Sequence, residues 1–207
     1  MSMQYKITVD GIEYGEDAIV SASILRPLFD KLSIGNACEG MLTLVFYPTQ
    51  TVNRMAEIIA YGMQDQGSWQ QIGVFYIDSR TVTPTGMMTV IAYDSMLMAD
   101  TVWVPDNSLS FPMTMAAAAD ALAEAMGITV DPRSQLSTTF TIDYPANDYT
   151  LRNVLEFIAA ANAGNWIITA ANQLLLVPLN GSMPPETYYL ITQDGDAITF
   201  AGTRILV

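Results

Sequence analysis

The sequence predicts an α+β chain, mainly β, in which an N-terminal barrel-like domain precedes a small two-helix α/β domain. Three observations lead there. Apolar and polar residues alternate with a period of two between turn-forming dipeptides from Tyr5 to Val104. Beyond Val104 two stretches switch to helical spacing. Hydrophobic residues make up 51% of the 207 and charged ones 14%, enough apolar material for a packed core and far from a disordered composition. The expected boundaries are 1–104 for the barrel-like domain, 105–181 for the α/β domain, and 182–207 for a linker and the start of a further strand region.

The alternation begins with Tyr5-Lys6-Ile7-Thr8-Val9, meets Asp10-Gly11 and returns through Ile12-Glu13-Tyr14. Asp-Gly suits a two-residue hairpin loop because both positions tolerate positive φ. Ile19 to Leu25 is the next strand. Met41 to Tyr47 follows, with Leu42, Leu44 and Phe46 on one face and Met41, Thr43, Val45 and Tyr47 on the other; bulk on both faces marks an interior strand. Glu57 to Met63, Gly73 to Asp78 and Met87 to Tyr93 complete a set dense enough to suggest a closed barrel or a sandwich.

In the first helical stretch Met115, Ala118, Ala119, Leu122 and Met126 form one stripe, with Thr114 as the N-cap and Gly127 at the end. In the second, Leu151, Val154, Leu155, Ile158 and Ala159 repeat it, with Asp148 or Thr150 as the cap and Gly164 closing the helix. Trp166 to Thr169 and Leu174 to Val177 then read as a hairpin turning near Ala171-Asn172. Gly181-Ser182-Met183-Pro184-Pro185 reads as a linker, and Tyr188 to Val207 as more strand around an Asp194-Gly195 turn.

Composition excludes much chemistry. Twenty-one acidic residues against eight Lys and Arg give a formal charge of −13, which repels phosphates and argues against nucleic-acid binding. The sequence has no histidine and a single cysteine, so the usual general base, the commonest metal ligand and any intrachain disulfide are missing. Cys38, with Glu39 beside it, is expected to be a buried, inert thiol. No Gly-x-Ser-x-Gly elbow or phosphate-cradling glycine motif occurs. No signal-peptide core opens the chain, and no apolar run is long enough for a membrane helix.

Some residues carry two readings. Asp94 reads as the cap of a short helical turn, with a general base raised in pKa by burial as the alternative. Asp194 and Asp196, like Glu13 with Glu16-Asp17, read as turn and surface carboxylates, a calcium loop needing more oxygen ligands. The methionines at Met87-Met88 and Met96 to Met98 read as core filling rather than a binding groove. Trp69, Trp103 and Trp166 read as structural, with an aromatic sugar or peptide platform as the alternative. No catalytic, cofactor-binding or metal-binding residue is assigned; no cofactor is expected, and the chain is read as not an enzyme.

The order of segments carries a resemblance. Ala92-Tyr93-Asp94-Ser95-Met96-Leu97, Trp103-Val104-Pro105-Asp106, Ala125-Met126-Gly127-Ile128, Tyr149 to Ala159, Gly164 to Ile168 and Leu174 to Leu179 follow one another in a pattern that resembles the tail (baseplate) hub proteins of bacteriophages, prophages and related contractile machines, over roughly residues 70 to 180. The resemblance implies a virion structural protein made in the host cytoplasm and built into the viral tail. It further implies a homotrimer in which two barrel-like domains per subunit form a pseudo-sixfold ring joining the tail tube to the tip, with other tail proteins, tube, tip or spike, as partners and no membrane. The α/β domain would correspond to Pro105 through Leu179. After Gly181 only Tyr188 to Val207 remain, too little for a complete second barrel, so a longer hub or a barrel from another chain is expected. Two other functions compete: a glycan- or small-ligand-binding β module with a pocket lined by Trp103 and tyrosines, and a tail-associated peptidoglycan hydrolase.

Overall fold

The computed structural model describes residues 3–28, 34–65, 67–105, 109–144, 148–179, 199–200 and 203–204. The linker expected at 181–185 and the Asp194-Gly195 turn lie outside them.

The first strand, β1 (Met3–Val9), turns through Asp10 and Gly11, both at positive φ (47° and 81°), into β2 (Ile12–Tyr14). Two consecutive left-handed residues match the right-handed twist of the strands they join. Then come β3 (Ile19–Leu25), β4 (Met41–Phe46), β5 (Glu57–Gln64), β6 (Gln70–Val82) and β7 (Met88–Tyr93). All belong to one antiparallel seven-stranded sheet of order β2-β1-β5-β6-β7-β4-β3. As the alternation predicts, Leu42, Leu44 and Phe46 are buried, and β4 is interior, between β7 and β3. They share a core with Ile7, Val9, Ile58, Phe75, Ile77 and Val90.

The closed barrel or sandwich expected from strand density is not what forms. The sheet curls as a half-barrel, and β2 and β3 end it without pairing to each other. β2 contributes only three residues, so it covers just Ile7 to Val9 of its neighbour. Curvature comes from bulges, where an extra residue bends one strand. At Ile72 the register passes from Ala60↔Gly73 to Tyr61↔Gln71. At Asp78 it passes from Ile77↔Ala92 to Ser79↔Ile91, and the carboxylate of the skipped residue meets Arg54 at 2.8 Å.

Asp94 follows β7 and caps a short 3₁₀ helix, Ser95–Asp100, that enters a second core. There β8 (Met113–Thr114) leads into α1 (Met115–Ala125), capped by Thr114, whose side chain accepts the Ala117 amide. Then β9 (Thr129–Val130) and β10 (Thr141–Ile142) precede α2 (Leu151–Ala161). Thr150 is the cap of α2, in a box closed by Asn153, and Asp148 is not. The hairpin β11 (Gly164–Ile168) and β12 (Gln173–Pro178) pairs on its far side with β9, in parallel. The predicted helix stripes are buried against Trp103 and Trp166. Gly164 does not close α2: Ala163 takes the left-handed position (φ 50°), and Gly164 opens β11, where a Cβ would lie 2.8 Å from the Val177 carbonyl. Near the C-terminus β13 (Thr199–Phe200) pairs with β14 (Thr203–Arg204).

Candidate functional site

The inner face of the curled sheet encloses a cavity of about 430 Å³. Tyr5 and Ile7 line it from β1, and Ile19, Ala22 and Ile24 from β3, so opposite ends of the strand order face one space. Lys6 stands at this seam. Its ammonium pairs with Glu13 at 2.6 Å and sits over the Trp69 ring, 4.8 Å from the centroid. Around the seam Met3, Tyr5, Val20 and Leu25 are exposed, each about half or more. Free edges bordered by apolar side chains are the elements of a sheet that recruit a further strand.

A second set of groups ties the sheet to the helical part. Between β3 and β4 the chain runs alongside β11: Trp166 donates its amide to Asn36 O (2.8 Å), and Cys38 donates its own to Trp166 O (2.9 Å). The fully buried Asn165 accepts the Asn36 amide at 2.9 Å and donates to Leu28 O at 2.9 Å. From α2, Arg152 donates to Asp100 (2.6 Å), Glu39 (2.8 Å), Ala37 O (2.8 Å) and Met96 O (3.1 Å). Burial works against its charge, yet the hydrogen bond and charge of Asp100, helped by Glu39, hold its pKa above the ordinary value. One cation thereby joins the β3–β4 connection, the 3₁₀ turn and α2.

Asp94 is 3% exposed. One oxygen accepts the Gly40 amide at 2.6 Å and the other the Met96 amide at 3.0 Å. Burial pushes its pKa up to about 7, with the two amides and Arg26 opposing and Glu39 assisting. Arg26 donates to the Ile72 carbonyl exposed by the bulge and stands over the Phe75 ring. Asp94 is thus the cap of the 3₁₀ segment, with a pKa raised by burial. With each oxygen held by a backbone amide, its geometry is that of a structural acceptor.

The other sequence candidates separate. Cys38 is buried, and its thiol donates to Leu28 O at 3.3 Å. Trp103 and Trp166 are buried in the second core; Trp69 is part-exposed beside Lys6. Met88 and Met96 fill core, as expected. Glu13 pairs with Lys6, while Asp194 and Asp196 lie outside the described residues. Among the described residues no three His, Cys, Asp or Glu side chains gather to hold a metal ion, and no helix is long and apolar enough to cross a membrane. Sequence reasoning missed the Arg152 junction and Asn165. Their partners lie about 50 to 140 positions away, brought together only in the folded chain, and no local pattern signals such contacts.

Comparison with solved structures finds the same fold in the 43 kDa tail protein of prophage MuSo2 from Shewanella oneidensis, with a TM-score of 0.63 at 12% identity over 92% of this chain and 59% of that one. The chain has a phage tail-protein fold. A tail protein from Neisseria meningitidis MC58 aligns with a TM-score of 0.59 at 14% identity, covering 85% of this chain and 51% of that one. Prophage tail protein gp18 from Listeria monocytogenes EGD-e aligns at 0.51 and 8% identity, covering 92% and 55%. The chain therefore spans between half and three-fifths of the length of these tail proteins. No protein-family model matches the sequence, and no curated protein matches it.

Proposed function

We propose that the chain is a structural component of a phage or prophage tail, at the tip or baseplate hub, where it joins the tail tube to the tip through protein contacts and performs no catalysis. The observation that carries this reading is the curled sheet left open between its β2–β1 end and β3, with both sides of the opening bordered by exposed apolar residues. An open half-barrel is incomplete alone, and a ring of repeated subunits covers every such edge. On this reading residues 1–104 are the tube domain and 105–181 the α/β domain, and three copies form the ring. The net charge of −13 suits a wall past which DNA slides, since carboxylates facing the axis repel phosphate. The virion tail is the location, and tube, tip or spike proteins are the neighbours.

Light scattering on the complete gene product tests the assembly. A mass of three copies, or of a ring containing three, supports the proposal. A strict monomer at high concentration overturns the ring.

A further inference from the structure

Arg26, the residue that follows β3, reaches a strand it cannot touch in a flat sheet. In the order β6-β7-β4-β3 two strands lie between, and three strand spacings make about 14 Å, farther than an arginine side chain extends. Its course is marked by two glycines. The stem passes Gly40, just before β4, where a Cβ would stand 3.4 Å from Arg26 Cγ. The guanidinium then passes Asp94, just after β7, whose charge supports its own against burial. It ends on β6, donating to the Ile72 carbonyl and standing over the Phe75 ring, with Cζ 5.9 Å from the centroid. There it is seated against Gly73, where a Cβ would collide with it.

This part of β6 lacks a strand on that side. Its pairing with β7 begins at Tyr76, so the stretch from Gln70 to Phe75 runs on beyond β7, and the bulge takes Ile72 out of step with β5. A side chain from one end of the strand order is thereby fastened to the middle strand of the seven. We infer that Arg26 is a tie that holds the curl of the sheet, so that this one side chain sets the width of the opening between the β2–β1 end and β3. The use of such a tie rests on the tail-tip reading: an edge that meets a neighbouring subunit must be offered at a fixed spacing. Arginine suits the task because its planar guanidinium donates and stacks on a ring at once, and keeps its charge. Lys6, also at the opening, pairs with Glu13 inside the β1–β2 hairpin and so does not span it.

Nitroxide labels at Met3→Cys on β1 and Val20→Cys on β3, both exposed, report the width of the opening in the whole chain carrying Cys38→Ala and diluted with unlabelled chain. Arg26→Met, which keeps the length and loses the donors, is expected to lengthen the label separation by on the order of half a strand spacing, about 2–3 Å, and to broaden its distribution. Gly73→Ala evicts the guanidinium without altering it and is expected to do the same. The double variant is expected to open no further than either single one, because both remove the same contact. Arg26→Lys is expected to fall between Arg26→Met and the natural chain. Spectra are compared where circular dichroism shows each variant folded; should Arg26→Met not fold, Gly73→Ala and Arg26→Lys carry the comparison. An unchanged separation in the folded variants, or shifts that add in the double variant, overturns the inference. Light scattering of the unlabelled natural chain keeps this result apart from the tail-tip reading: a monomer whose opening still widens when Arg26 is replaced removes the ring and keeps the tie.

Discussion

The Gly40 amide donates to a buried oxygen of Asp94 at 2.6 Å, binding the residue before β4 to the residue after β7 at the point where the chain leaves one core for the other. The second oxygen of the same carboxylate starts the 3₁₀ turn through Met96. A Cβ on Gly40 would stand 2.6 Å from that carboxylate, so only glycine allows the approach.

The folded chain holds the Asp94 proton more tightly than the unfolded chain, because the pKa rises from 3.8 to about 7 on burial. Its stabilising contribution is complete below pH of about 4 and is lost as pH rises through about 7. Asp131 acts in the opposite sense: the hydrogen bond from Arg133 holds its carboxyl below the usual range, and stability is lost as that group protonates in acid. Asp94→Asn is expected to flatten the decline between pH 4 and 7, worth roughly 2–4 kcal/mol in the natural chain. Urea unfolding at half-unit pH steps checks it.

Arg152→Ala is expected to cost about 2–4 kcal/mol, since it leaves the Ala37 and Met96 carbonyls without this donor and Glu39 without its cation. Arg152→Lys is expected to recover less than half, because one ammonium cannot reach four acceptors held in a fork. Chemical denaturation of the pair measures both.

Thr150→Ala removes the capping-box acceptor of the Asn153 amide, bonded at 3.2 Å. The expected loss is about 1 kcal/mol. Asp148→Ala, at the cap position not used, is expected to lose much less, and comparison of the two melting curves tests the assignment.

Gly164→Ala places a methyl 2.8 Å from the Val177 carbonyl across the β11–β12 pair and is expected to cost about 1–3 kcal/mol. Gly86→Ala, with open space around the same position but φ of 83°, is expected to cost about 1 kcal/mol through backbone strain alone. Equal losses would contradict the packing explanation.

Local chemistry made most of the fold legible. The Asp10-Gly11 loop, the Leu42-Leu44-Phe46 face, the Thr114 cap and the stripe from Met115 to Met126 are each specified by residues within a few positions of one another, and each stands as the sequence implied. Closure of the sheet was not legible, because alternation reports which face is buried and says nothing of which strand lies beside which. The bulges at Ile72 and Asp78 look like ordinary alternating strand in the sequence, so the curl they produce was hidden. The Asp94 cap was visible from its position before Met96. Its elevated pKa needed Gly40, Arg26 and Glu39, brought together only by the fold.

The most direct test of a tail-tip role is electron microscopy of phage particles carrying an epitope tag on this chain, decorated with gold-labelled antibody. The account predicts label confined to the tip end of the tail. Label spread evenly along the tube, or particles that lack the chain altogether, would contradict it.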